Sequence, residues 1–105
     1  MALTKSFREI VQARAARDPE FRGALLSEGI ELLFNAEVEA GKAMLRDYIN
    51  ATIGFGPLAA AIGAPPKSLM RMFGPSGNPT AKNLMNVIAH LQRASGVSLV
   101  VRARA

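Results

Sequence analysis

The chain contains no cysteine. That absence removes disulfides, thiolate nucleophiles and zinc fingers together, and it fits a reducing cytoplasm. Histidine is nearly absent too, with His90 alone in a helical stretch and no acid beside it. Such a histidine reads as structural or solvent-facing. No metal-ligand spacing and no convergent acid, base and nucleophile accompany it. No enzymatic reaction, metal site or cofactor is expected. No apolar run approaches the roughly 18 residues of a membrane span, so no membrane partner is expected. The N-terminal residues lack the apolar core of a signal peptide. The turn Gly74–Pro79 is not followed by Gly-Lys-Ser/Thr, which argues against a nucleotide-cradling loop. Tyr48 and the five phenylalanines sit in apolar patterns and read as core, not as stacking platforms for single-stranded nucleic acid.

Acid is missing from the second half of the chain. Asp47 is the last acidic residue, and beyond it come six basic ones: Lys67, Arg71, Lys82, Arg93, Arg102 and Arg104. Residues 1–47 hold seven basic and eight acidic residues, so the formal net charge of +5 resides in the second half. An all-positive half is what a polyanion-binding surface requires, although chance clustering in a basic protein gives the same count.

What is present fits one globular domain. The 105 residues are half hydrophobic and one fifth charged, enough to bury a core. Thr4 or Ser6 caps a first helix running to about Arg17, with Phe7, Ile10, Val11 and Ala15 as its apolar arc. Arg14 lies close to that arc and is expected to snorkel or to pair with an acid. Asp18 caps a second helix with Pro19 in its first turn and Glu20 near its positive end. Asn35 is expected to cap a third, to about Asn50. Its core face is Val38, Gly41, Leu45, Tyr48 and Ile49, and Lys42, Arg46 and Asp47 face away. Thr80 caps a last helix through about Ala94, with Leu84, Val87, Ile88 and Leu91 inward. Val97–Arg102 is β-branched and roughly alternating, so it reads as a strand. A lone strand leaves backbone groups unpaired. Val97, Leu99 and Val101 are therefore expected to pair with a second copy or another protein, unless the segment is an extended tail lying on the helices.

The run Leu58–Met72 is the most informative part. It reads as two short helices meeting at Gly63, where a positive φ is cheapest without a side chain. Ala59 is small at the close crossing, and Leu58, Ile62, Leu69 and Met72 face a shared core. Lys67, Ser68 and Arg71 lie on the exposed face of the second helix. This is the layout of a helix-turn-helix whose second helix enters the DNA major groove. Pro66 presets its first turn. Lys67 and Arg71 are one turn apart, and Arg71 can bond a guanine edge bidentately. Ser68 can bond a base or a phosphate, and Met70 can touch a thymine methyl. Ser76, Asn78, Thr80 and Lys82 follow, where short polar groups and a helix start can hold phosphates.

Residues 52–95 resemble the Cro/C1-type (XRE) helix-turn-helix family. The matching elements are Leu58-Ala59, Ile62-Gly63, Leu69, Arg71-Met72, Asn78-Pro79, Leu84 and Leu91. The runs Leu45–Phe55, Pro65–Met72 and Pro75–Pro79 extend the resemblance to HigA-like antitoxins of type II toxin–antitoxin modules. The resemblance implies a mainly α, five- to six-helix bundle containing a lambda-repressor-like helix-turn-helix. It implies a homodimeric regulator in the bacterial cytoplasm, bound to a palindromic operator on the nucleoid. It further implies a partner toxin, an RNase of the RelE type. Pro65-Pro66 departs from the polar or basic residues usual at the start of the reading helix, which concentrates base reading on Lys67 and Arg71. The parts of the single domain are then residues 1–36, 37–95 for the helix-turn-helix core, and 96–105 for the strand and tail. Residues 1–36 either face the toxin or the dimer partner or simply complete the core. Two alternatives stand beside the antitoxin: a stand-alone repressor, and an interaction module of the same fold without specific DNA binding.

Overall fold

The computed structural model describes residues 5–105. Thr4, one of the two candidate caps of the first helix, lies outside them. The described chain is mainly helical: α1 (Lys5–Arg17), α2 (Pro19–Phe34), α3 (Val38–Ala51), α4 (Phe55–Ile62), α5 (Pro66–Met72) and α6 (Ala81–Ser95). No helix among the described residues is long and apolar enough to cross a membrane.

Local chemistry sets most of the boundaries. The Asp18 carboxylate accepts from the Phe21 N–H at 3.1 Å and Pro19 fills the first turn of α2. That backbone bond, with help from the adjacent Arg14, holds the Asp18 carboxyl below the usual range. Arg14 pairs with Asp18 at 3.5 Å and also lies over the Phe21 ring. The Thr80 hydroxyl accepts from the Asn83 N–H at 3.1 Å to start α6. Gly63 and Gly96 adopt left-handed conformations, φ 70° and 67°, and end α4 and α6. Asn35 does not start α3. It terminates α2, its N–H bonding back to the Glu31 carbonyl, and α3 begins after Glu37 without a side-chain cap.

The core gathers residues from α2 to α6: Leu26, Leu45, Tyr48, Ile49, Phe55, Leu58, Ala59, Leu69, Phe73, Val87 and Leu91. The α2–α3 pair is the most extensive. Its backbones approach closely because Gly29 and Gly41 carry no side chain. A Cβ on Gly41 would stand 2.8 Å from a Leu33 methyl, and one on Gly29 would stand 3.2 Å from a Leu45 methyl.

Several expected core positions lie outside it. Phe7, Ile10, Phe34 and Val38 are all exposed. Only Phe55 and Phe73 of the phenylalanines are buried. Lys42, expected to face water, is only 1% exposed.

Tyr48 bridges α3 and α6. Its hydroxyl donates to Ser95 Oγ at 2.5 Å, and the Ser95 hydroxyl donates in turn to the Leu91 carbonyl. Burial pushes the Tyr48 phenol above the ordinary tyrosine value, against smaller opposing effects of Ser95 and Arg22. The folded state therefore holds the proton more tightly. Its contribution is complete below the ordinary pKa of about 10 and is lost as pH rises through the higher folded value. Tyr48→Phe is expected to cost about 1 kcal/mol at neutral pH. In urea unfolding, the gap between the two proteins should narrow as pH climbs above about 10.

Candidate nucleic-acid interface

The site is built on a short helix anchored from behind. Leu69, fully buried, ties α5 to the core, and Ile62 and Met72 pack beside it. The turn Gly63–Pro65 joins α5 to α4. The Ala64 N–H reaches the Ala59 carbonyl at 3.0 Å and closes the end of α4. With its inner face occupied, α5 turns Pro66, Lys67, Met70 and Arg71 outward, while Ser68 is half-buried.

Beyond α5 the chain folds back on itself. Gly74–Gly77 makes a tight turn closed by the Gly77 N–H on the Gly74 carbonyl at 3.1 Å. The turn brings Ser76 and Asn78 next to the helix. A shallow cleft of about 310 Å³ is lined by Ser68, Arg71, Ser76, Asn78 and Thr80, with Met72, Gly77, Pro79 and Asn83 completing it. Five of the predicted contact residues thus share one depression. Pro66, Lys67, Met70 and Lys82 do not line it, although all four are exposed. Among the described residues no acid lies within ion-pair distance of Lys67, Arg71 or Lys82, so their charge faces outward uncompensated.

Lys42 was not expected here. Its ammonium donates to the Gly77 carbonyl at 2.7 Å and the Gly74 carbonyl at 3.0 Å, and it pairs with Glu39 at 3.0 Å. A weaker bond runs from Arg46 Nη1 to the Phe73 carbonyl at 3.5 Å. One sequence signal points to the burial: position 42 lies three residues before Leu45 and seven before Ile49, within the apolar stripe of α3. Asn83, in the first turn of α6, is a further cleft residue that sequence reasoning missed.

The C-terminal segment does not form the expected strand. No strand occurs among the described residues: 97–105 has no regular secondary structure, with Val97 and Ser98 beside α6 and Leu99–Arg102 beside α2. The described residues offer no neighbouring strand, and the backbone finds other partners. The Val97 N–H bonds the Gln92 carbonyl at 3.1 Å, and the Leu99 N–H bonds the Gln92 side chain at 2.8 Å. Val97 and Leu99 pack against the core, whereas Val101 is 79% exposed. The three residues therefore do not present one common face. Val100 and Val101 instead border a groove shared with Ile30, Glu31 and Phe34 of α2.

No protein-family model, curated protein or solved structure matches this chain.

Proposed function

We propose that this chain is a sequence-specific regulator that binds double-stranded DNA. One observation carries the reading. Lys67 and Arg71 stand one turn apart on the free face of a core-anchored helix, and Arg71 borders a cleft rimmed by the short polar residues Ser68, Ser76, Asn78 and Thr80. In a helix-turn-helix the second helix offers such side chains to base edges, and the flanking polar groups hold phosphates. The absence of acid after Asp47 gives the same surface a positive field.

The finer reading follows the resemblance to Cro/C1-type regulators and HigA-like antitoxins. In it the chain is a homodimer on a palindromic operator with half-sites about one helical turn apart. It represses its own operon in the bacterial cytoplasm and neutralises an RNase toxin of the RelE type. The groove between α2 and the tail, with Phe34 65% and Val100 79% exposed, favours a protein-contact role for these elements. The same groove supports the second reading, an interaction module without DNA selectivity.

A titration of the purified protein on its own upstream DNA and on a scrambled duplex, at two salt concentrations, tests the proposal. Selective binding is expected to weaken steeply with salt, because each phosphate neutralised by lysine or arginine releases counterions. Equal weak binding to both duplexes overturns the DNA reading and favours the interaction module. Co-purification with the product of the neighbouring reading frame tests the antitoxin assignment.

A further inference from the structure

We propose that Lys42 is a positioning residue for the DNA contact, a tether that locks the Gly74–Gly77 turn so that Ser76 and Asn78 stand beside Arg71. This rests on the DNA-binding reading above and deepens it. Lys42 belongs to α3 and lies in the apolar stripe, with only 1% of its surface exposed. Its three ammonium protons meet three acceptors: the Gly77 and Gly74 carbonyls at 2.7 and 3.0 Å and the Glu39 carboxylate at 3.0 Å. A buried ammonium carries a desolvation cost, and apolar side chains of similar volume usually serve stability as well or better. What the lysine supplies and an apolar residue cannot is a directed hold on two carbonyls of one turn.

The turn is held from its other side as well. A Cβ on Gly77 would lie 2.0 Å from the Arg71 carbonyl and 2.6 Å from the Met72 carbonyl, so Gly77 sits hard against the last turn of α5. The tether and this contact together leave the turn one placement relative to Arg71. Preorganised donors lose little freedom on binding, which is the advantage of such a turn for holding phosphates.

The test uses the full chain and a duplex that the wild-type protein selects from a random-sequence library. Lys42→Met keeps the length of the side chain and removes the ammonium. It is expected to remain folded by circular dichroism while amide exchange speeds up selectively over residues 74–80. Its affinity is expected to fall about ten- to a hundredfold, the equivalent of one charge-assisted hydrogen bond. The ratio of selected to scrambled duplex should hold, since Lys67 and Arg71 still read the bases. Single methylphosphonate substitutions in the duplex provide the readout that a purely structural role would not move. Certain neutralised phosphates should weaken the wild-type protein and have little effect on Lys42→Met. If Lys42→Met fails to fold, Gly77→Ala displaces the same turn from the opposite side and must give the same phosphate insensitivity. Wild-type amide exchange and wild-type phosphate sensitivity in the folded Lys42→Met protein overturn the positioning role alone. Failure of the wild-type protein to select any duplex overturns the DNA reading itself, and with it the role assigned to Lys42.

Discussion

Lys67→Ala combined with Arg71→Ala should abolish sequence-selective DNA binding while the protein stays folded. Both side chains are exposed and neither contributes to the core, so the melting temperature should stay close to wild type. Binding is a different matter. A good base contact from a lysine or arginine discriminates by about 1–3 kcal/mol, so losing both removes roughly 2–6 kcal/mol. At about 1.4 kcal/mol per tenfold, the selected duplex loses at least thirtyfold in affinity and approaches the scrambled one. Titrations of both duplexes, with circular dichroism melts of the same samples, measure this. A double variant that still protects the operator would mean that α5 is not the reading helix. The contrast with Lys42→Met separates two tasks. Under the DNA-binding proposal, the exposed pair sets which sequence is bound, and the buried lysine sets how well the phosphates are held.

Leu45→Ala should have the largest effect on stability. Leu45 is fully buried where α2 crosses α3, with its methyl close to Gly29. A leucine-to-alanine change in a core costs about 2–5 kcal/mol, and the cost rises with the cavity that remains. Here the helices have little room to close over the gap, because a Cβ on Gly41 would already stand 3.2 Å from the Gly29 carbonyl. The upper part of that range is therefore expected, which lowers the melting temperature by more than about 10 °C for a domain of this size. A loss well below 2 kcal/mol in urea unfolding would show that α2 slides to refill the space.

These expectations differ in how far they could be read without the fold. The helix pair was legible because its signals are local. Pro66 favours a first turn, Gly63 tolerates a positive φ, and Leu58, Ile62, Leu69 and Met72 repeat at helical spacing. The inward-facing residues of α6 and its Thr80 cap were legible for the same reason. Asn35 shows where local reasoning fails: a residue suited to a helix start can equally end the helix before it. The chain resolved that choice at Ala36, which takes a left-handed φ of 63° and turns into α3.

The tail departs from a strand for a longer-range reason. A β-branched run declares only that it prefers to be extended. A strand needs a partner, and the described chain supplies instead the Gln92 side chain and the surface of α2. The exposure of Phe7 and Phe34 has a similar origin, since apolar periodicity marks a face without stating what covers it.

The sequence by itself determined the helical composition, most helix ends, the acid-free second half and the pairing of Lys67 with Arg71 on one helical turn. Each depends on residues a few positions apart, or on composition alone. Only the tertiary structure decided that Lys42 is buried, that Ser76 and Asn78 stand beside Arg71, and that Val97 and Leu99 turn inward. Those outcomes depend on groups distant along the chain. The carbonyls that receive Lys42 lie 32 and 35 residues away, and a buried ammonium is tolerable only once folding has brought such acceptors to it.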